Sequence, residues 1–583
     1  MVSQFVVAAV SCLIALTTAA PAKHSSLPTV AVKNGSYTGV YSTEYDQDFF
    51  LGMPYAKKAT RFTVAEPLDT AWNGSRAAAA YPPHCIGYGG DDVGYKLSED
   101  CLYLNVIRPA GLDETADLPV AVWIHGGGLV MGGSADRRYN LSFIVENSVK
   151  QGTPMIAVSL NYRLSVFGFL TGSEAQDAGV TNIGFRDQRL ALHWVHENIA
   201  AFGGSPDKVT IWGESSGAES VSAQVQAYNG RDDGLFRAAI GESGFGGLLY
   251  RYPGGLNATS AQQMTFNNLL LNTSCASTVD TAESIQCLRD LPFEEINHAV
   301  NVTGVGPWSP VMDGDFIADH PSEQLKRGRF VKVPVLIGTN TDEGTSFGRG
   351  KGPNGAGVST DSEFAQAIRN YLSANVSASS GMSTERIIEE VMTMYPNIQS
   401  LGIPSLESWP MVITPNTTSV KSLGLQYRRT GALFGDLAMH YLRRLANISW
   451  DKAGVPSWAY RFNVIVNGIP DSAAATHFQE VSFVFYNING DGYAINPFAG
   501  KPDSYRKLAA AMSFAWINFV TGLDPNGDGN TLNVTWPRYS IAAGGGAGQD
   551  IVWKTDGSVI EFDDYRAPGM GWLADHSLEV LGM

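Results

Sequence analysis

Short runs of β-branched and aromatic residues alternate with longer amphipathic segments along the first half of the chain. LPVAVWIH (118–125), PMIAVSLNY (154–162) and VTIW (209–212) have the pattern of buried strands. Between them, RDQRLALHWVHENIAAF (186–202) has a helical pattern closed by Gly203-Gly204, and a second helix starts just after VTIW. RAAIGES (237–243), VPVLIGT (333–339) and SWAYRFNV (457–464) extend the strand series, and VSFVF (481–485) is also strand-like. This alternation predicts an α/β architecture, a mostly parallel sheet covered by helices on both faces. A polar, helix-patterned stretch from about 350 to 440, with the glycine-rich GRGKGPNGAG at 348–357, predicts an insertion that caps the sheet. No internal repeat or low-complexity linker divides the chain.

Composition narrows the class. Of 583 residues, 44% are hydrophobic and 16% charged, as expected for a large folded core. A net charge of −16 without any Lys/Arg-rich run argues against nucleic-acid binding. The amino terminus, MVSQFVVAAVSCLIALTTAAPAKHSS, carries an apolar run from Phe5 to Leu16 that is too short to span a bilayer. It ends in the small residues Thr18-Ala19-Ala20, so residues 1–20 read as a signal peptide and 21–583 as a single unit. No later segment is long and apolar enough for a membrane span, and the final GWLADHSLEVLGM is too short and polar for a lipid-anchor signal. A secreted, extracellular protein is expected.

The cysteines agree with that expectation. Cys12 leaves with the leader, and the other four fall into two short spacings. Sequential loops are the easiest to close, which predicts Cys85–Cys101 and Cys275–Cys287 and leaves no thiol for a disulfide-linked dimer. Ten Asn-x-Ser/Thr sequons mark candidate glycosylation sites: Asn34, Asn73, Asn140, Asn257, Asn272, Asn301, Asn375, Asn416, Asn447 and Asn533.

Candidate chemistry sits where the predicted strands end, the edge at which such sheets bind ligands. In VTIWGESSGA (209–218) a strand gives way to a helix through GESSG. The central residue of so tight a turn projects above the sheet, so Ser215 is the candidate nucleophile. Ser216 already starts the helix and would offer its N–H to a developing oxyanion. A second G-x-S-x-G, around Ser346, runs into a glycine-rich loop instead of a helix and reads as a chance match. In WIHGGGLV (123–130) three glycines follow a buried strand, and Gly127 and Gly128 are the further oxyanion donors expected there. A serine nucleophile needs a base and an acid to orient it. His477 lies on a loop, whereas His193 and His196 lie on the predicted helix and His125 precedes the glycines. GTNTDEGTSF (338–347) presents Asp342 and Glu343 together, and spacing does not choose between them.

Several segments together resemble the type-B carboxylesterase/lipase family, which includes the cholinesterases. They are SEDCLYLNV (98–106), HGGG, NIGFRDQRLALHWVHENIAAFGGSPDKVTIWGESSG (182–217), PVMDGDF (310–316), TNTDEGTSF (339–347) and HFQEVSFVF (477–485). The likeness runs from LGMPYA (51–56) to WPRY (536–539), nearly all of the mature chain. It implies an α/β-hydrolase fold and a secreted fungal serine esterase. Within it the acid is Glu343 and the base His477, both disulfides match, Ser243 resembles a serine behind the acid, and Arg61 pairs with Glu99. Many relatives carry alanine where this chain has Ser216.

The chemistry implied needs no cofactor and no metal. DPNGDGN (524–530) imitates the start of a calcium loop, but position twelve is Thr535 instead of glutamate. The partner is a small ester. In the family's lipases the loop after the first cysteine forms a long apolar flap, and in cholinesterases it carries a tryptophan. Here it is IGYGGDDVGYKLSED, short and without Trp. Gly304 and Gly306 replace bulky acyl-pocket residues, and Trp308 walls one side. The expectation is a carboxylesterase acting on soluble or moderately hydrophobic esters. A lipase or sterol esterase is the alternative. A non-catalytic, cholinesterase-like adhesion protein would have lost the serine or one of its partners.

Overall fold

The computed structural model describes residues 27–582 apart from 248–255, 257, 258, 303, 373–379, 528–533 and 544. The predicted leader, His24, Asn257, Asn375, Asn533 and the end of DPNGDGN lie outside the described residues.

An eleven-stranded sheet runs through the molecule. In chain order its strands are β1 (Val40–Ser42), β2 (Gln47–Pro54), β3 (Tyr103–Pro109), β4 (Leu118–Ile124), β5 (Ile156–Leu160) and β6 (Gly204–Glu214). They continue as β7 (Ala238–Glu242), β8 (Val335–Asn340), β9 (Ser457–Phe462), β10 (Gln549–Trp553) and β11 (Val559–Phe562). Across the sheet the order is β11-β10-β9-β8-β7-β6-β4-β5-β3-β2-β1. Strands β4 to β10 are parallel, as the strand–helix alternation predicts. Both edges are antiparallel additions that the sequence pattern did not mark.

Side chains alternate between two cores, as strand geometry requires. After the helix α1 (Leu141–Gln151), the helices α2 (Ile183–Asn198) and α3 (Ser216–Gly230) supply Phe185, Leu192 and Val221 to one face, where Val120, Val122 and Ile124 of β4 join Val209 and Ile211 of β6. Ala121 and Trp123 point the other way and meet Trp212, Trp458, Trp516 and Phe519, the last two on a helix at Asp503–Gly522. Each large side chain buried this way contributes roughly 1.5–3 kcal/mol.

VSFVF differs from its prediction: Val481–Val484 is a short, fully buried helix. An apolar run of this length is buried equally well in either state, so periodicity does not decide it. The predicted insertion is helical, with segments at Asp361–Arg369, Thr384–Met394 and Tyr427–Gly435 around their own apolar cluster. Both predicted disulfides, Cys85–Cys101 and Cys275–Cys287, are present. Arg61 grips Glu99 with two hydrogen bonds of 2.6 and 2.7 Å. One sequon is corrected: Asn447 is fully buried and donates to Ser457 Oγ at 3.2 Å, so the folded chain has no room for a glycan there. No helix among the described residues is long and apolar enough to cross a membrane.

Candidate active site

The sheet brings the candidate residues together at the carboxyl ends of adjacent strands. β4 leads into the glycine turn, β6 into Ser215 and β7 into Ser243, while Glu343 follows β8 and His477 lies on the loop after β9. Because β4 pairs directly with β6, with Ile124 opposite Gly213, the glycine turn and the serine share one end of the sheet.

The elbow is tight enough to exclude side chains. A Cβ on Gly217 would lie 2.1 Å from the Ile124 carbonyl oxygen, and one on Gly213 would lie 2.5 Å from the backbone of Gly217. Ser215 at the apex holds φ 56° and ψ −128°, strain of roughly 1–3 kcal/mol that a packed surrounding must hold in place. Its N–H donates to the Glu242 carbonyl at 2.9 Å, and unlike its buried neighbours it is partly exposed.

A hydrogen-bonded line then runs outward. Ser215 Oγ lies 2.8 Å from His477 Nε2, and His477 Nδ1 lies 2.8 Å from Glu343 Oε2. The second Glu343 oxygen accepts the Asn340 N–H at 2.8 Å. Asp342 points elsewhere, accepting the Ala475 N–H at 3.0 Å, and burial pushes its pKa up to about 7. Ser243 does not touch Glu343: its hydroxyl donates to Glu480 at 3.2 Å, and Asn340 bridges to Glu480 at 2.6 Å.

Two features of the site have no sequence signature. Glu214 is fully buried, and its Oε1 lies 3.3 Å from His477 Nε2, on the serine side of the ring. Burial above all holds its carboxyl well above the usual range, while His477 draws it down. Burial would lower the His477 pKa, but Glu214, Glu343 and Glu480 outweigh it and hold the ring above its usual 6.5. Phe478, next in the chain, sits at φ 75°, a left-handed backbone unusual for an aromatic residue. The Arg138 guanidinium lies 4.8 Å over its ring and is itself held by Asp136 at 2.9 Å and Asp91 at 2.8 Å. Asp91 belongs to the Cys85–Cys101 loop, so that loop reaches the histidine turn through one arginine.

Gly127 and Gly128 both adopt positive φ, 101° and 64°, and a Cβ on Gly126 would lie 3.1 Å from the Ser215 Cβ. Ser216 begins α3, where the first N–H groups lack intrahelical acceptors and the helix dipole favours an anion. His125 is buried, stacks on Tyr162 at 4.5 Å, and is lowered to about 4 by burial, so it stays neutral below the turn. His193 and His196 are exposed on α2. Ser346 is exposed and bonds Thr476 at 2.8 Å. Gly304 has open space before it, and Trp308 is buried in an apolar cluster with Phe62 and Phe167. No cluster suited to a metal occurs among the described residues.

The comparisons with known proteins agree on the kind of chain this is. A profile described as "Carboxylesterase family" matches residues 26–546. Over 558 residues the chain is 30% identical to "Secreted lipase 1" of Botryotinia fuckeliana (strain B05.10), covering 89% of each chain. It is 33% identical over 490 residues to "Lipase 2" of Geotrichum candidum, covering 81% of this chain and 77% of the relative. The crystal structure of Aspergillus niger EstA superposes with a TM-score of 0.77 at 25% identity, covering 95% of this chain and 99% of that one.

Proposed function

The chain belongs to the carboxylesterase family and is a carboxylic ester hydrolase, and we propose that Ser215, His477 and Glu343 carry out the hydrolysis. The observation that carries this reading is the line of 2.8 Å contacts from Ser215 through His477 to Glu343. His477 takes the Ser215 proton as Oγ attacks the ester carbonyl. The resulting oxyanion is held by the N–H groups of Gly127, Gly128 and Ser216. His477 then gives its proton to the departing alcohol, and water releases the acid from Ser215 by the same route. Glu343 fixes the ring with Nδ1 protonated, so that Nε2 faces the serine as an acceptor.

The preferred substrates are soluble or moderately hydrophobic esters. Supporting this, the Cys85–Cys101 loop is tied down: Tyr88 N–H donates to the Val130 carbonyl at 2.7 Å, and Asp92 accepts the Gly132 N–H at 3.0 Å. These ties favour a loop that stays in place over an interfacial flap. Lipase is the second reading, favoured by the names of the two fungal relatives. Turnover of p-nitrophenyl esters from acetyl to palmitoyl, below and above their solubility limits, separates the two. The expected result is a short-to-medium chain optimum without a jump at the interface. A long-chain optimum with a jump would replace it with the lipase reading.

The pH profile offers a separate check. His477 must be neutral to accept the serine proton, and the carboxylates around it favour the charged ring. The acid limb of kcat/KM is therefore expected above pH 6.5, with activity lost as pH falls through it. Replacing Glu214 with Gln removes one source of that attraction and should move the limb to lower pH. A move upward would contradict the reading.

We further propose that residues 1–20 are removed as a signal peptide and that 21–583 works as one exported catalytic unit, glycosylated at some of its exposed sequons. Two disulfides and a relative named as secreted support this.

A further inference from the structure

Leu129, directly after the glycine turn, is buried and holds φ 60°, a backbone that leucine keeps only when its surroundings impose it. It is pinned on both sides. Its carbonyl accepts the Ser165 N–H at 2.8 Å, and its N–H donates to Ser216 Oγ at 3.0 Å. Ser216 is fully buried at the start of α3, and its own carbonyl accepts the Ser220 hydroxyl at 2.7 Å. Ser220 in turn accepts from Gln188 of α2 at 2.9 Å. The Ser216 side chain thus joins the two segments that supply the oxyanion donors, the glycine turn after β4 and the elbow after β6.

We propose that Ser216 is a positioning residue whose hydroxyl clamps the turn Gly126–Leu129 onto the elbow and sets the spacing between the two halves of the oxyanion hole. Alanine at this position would keep the backbone donor but leave the buried Leu129 N–H without its acceptor. Donors preorganised around a developing charge lose effect when displaced by fractions of an ångström. Ser216 therefore acts on catalysis through its side chain as well as its amide. The inference rests on the oxyanion assignment made above.

The test uses an alkyl trifluoromethyl ketone. Ser215 Oγ adds to its carbonyl carbon, the serine proton passes to His477, and the carbonyl oxygen becomes an anion in the proposed hole. Ser216→Ala is expected to weaken ketone inhibition about tenfold and to lower kcat by a similar factor, with KM for p-nitrophenyl butyrate changing less than about twofold. Ser216→Cys should fall between, because sulfur is a weaker acceptor. Ser222→Ala is the control. Its hydroxyl, equally buried in α3, accepts from Gly246 N at 3.1 Å and Gln226 Nε2 at 2.9 Å, away from the turn. That change should lower Tm without altering ketone inhibition. If Ser216→Ala binds the ketone as tightly as the unsubstituted protein, or changes no more than Ser222→Ala, the clamp is overturned. If the unsubstituted protein binds the ketone no better than Ser215→Ala, the oxyanion reading fails first and the clamp with it.

Discussion

Ser215→Ala is expected to reduce kcat/KM for p-nitrophenyl butyrate by about 10⁴-fold or more while leaving the fold intact. The size follows from the geometry. Among the described residues Ser215 Oγ is the one hydroxyl hydrogen-bonded to His477 Nε2, at 2.8 Å, and its position at the apex of the elbow leaves it partly exposed to substrate. Without it no acyl-enzyme forms. What remains is water activated by His477 in front of the oxyanion donors, a slow general-base route. Stability should change little. Alanine meets the same backbone strain at φ 56°, and the N–H bond from residue 215 to the Glu242 carbonyl survives. Thermal melting and a single-turnover measurement of acyl-enzyme separate loss of chemistry from loss of fold. Ser346→Ala, in the other copy of the pattern, should cost less than about tenfold, since that hydroxyl meets Thr476 and not the histidine. Full activity in Ser215→Ala would remove the serine mechanism altogether.

Local constraints made the centre of this fold legible. Strands β4 to β9 are marked by short runs of β-branched, aromatic and small apolar residues because both faces of a parallel strand are buried. The elbow is marked because Gly213 and Gly217 leave no space for a Cβ where helix and strand cross. His477 could be chosen by its place on a loop and by the resemblance. What stayed hidden depends on contacts between distant segments. Nothing in GES announces that the Glu214 carboxyl folds back to within 3.3 Å of the histidine. The Phe478 ring, at a positive φ, meets the guanidinium of Arg138, more than 300 positions earlier in the chain. Ser216 looked dispensable beyond its amide because the acceptor it provides serves Leu129, on another strand's loop. VSFVF was misjudged for the related reason that complete burial erases the polar spacing by which helix and strand are told apart.

The acid was the one member of the site that spacing could not place, and its two candidates should respond very differently to removal of charge. Glu343→Gln is expected to lower kcat by about 10³–10⁴-fold. Glu343 accepts two hydrogen bonds at once, from His477 Nδ1–H and from the Asn340 N–H. A glutamine offers one oxygen and one NH₂ for those two places. If the oxygen faces Asn340, the NH₂ meets Nδ1, and the ring shifts its proton to Nε2, where it can no longer accept from Ser215. If the oxygen faces His477, the NH₂ is forced against the Asn340 N–H, and the imidazolium formed during attack loses its counter-charge. Either orientation disables the base. Asp342→Asn should cost less than about tenfold by contrast. Burial already holds that carboxyl up to about 7, one of its oxygens has no hydrogen-bond partner, and the other needs only to accept from Ala475, which an amide oxygen does equally well. Measured kcat and Tm for the two isosteric variants decide the matter. A larger loss in Asp342→Asn than in Glu343→Gln would mean that the side chains exchange roles in solution, because Asp342 is turned to the Ala475 N–H while Glu343 alone reaches the ring.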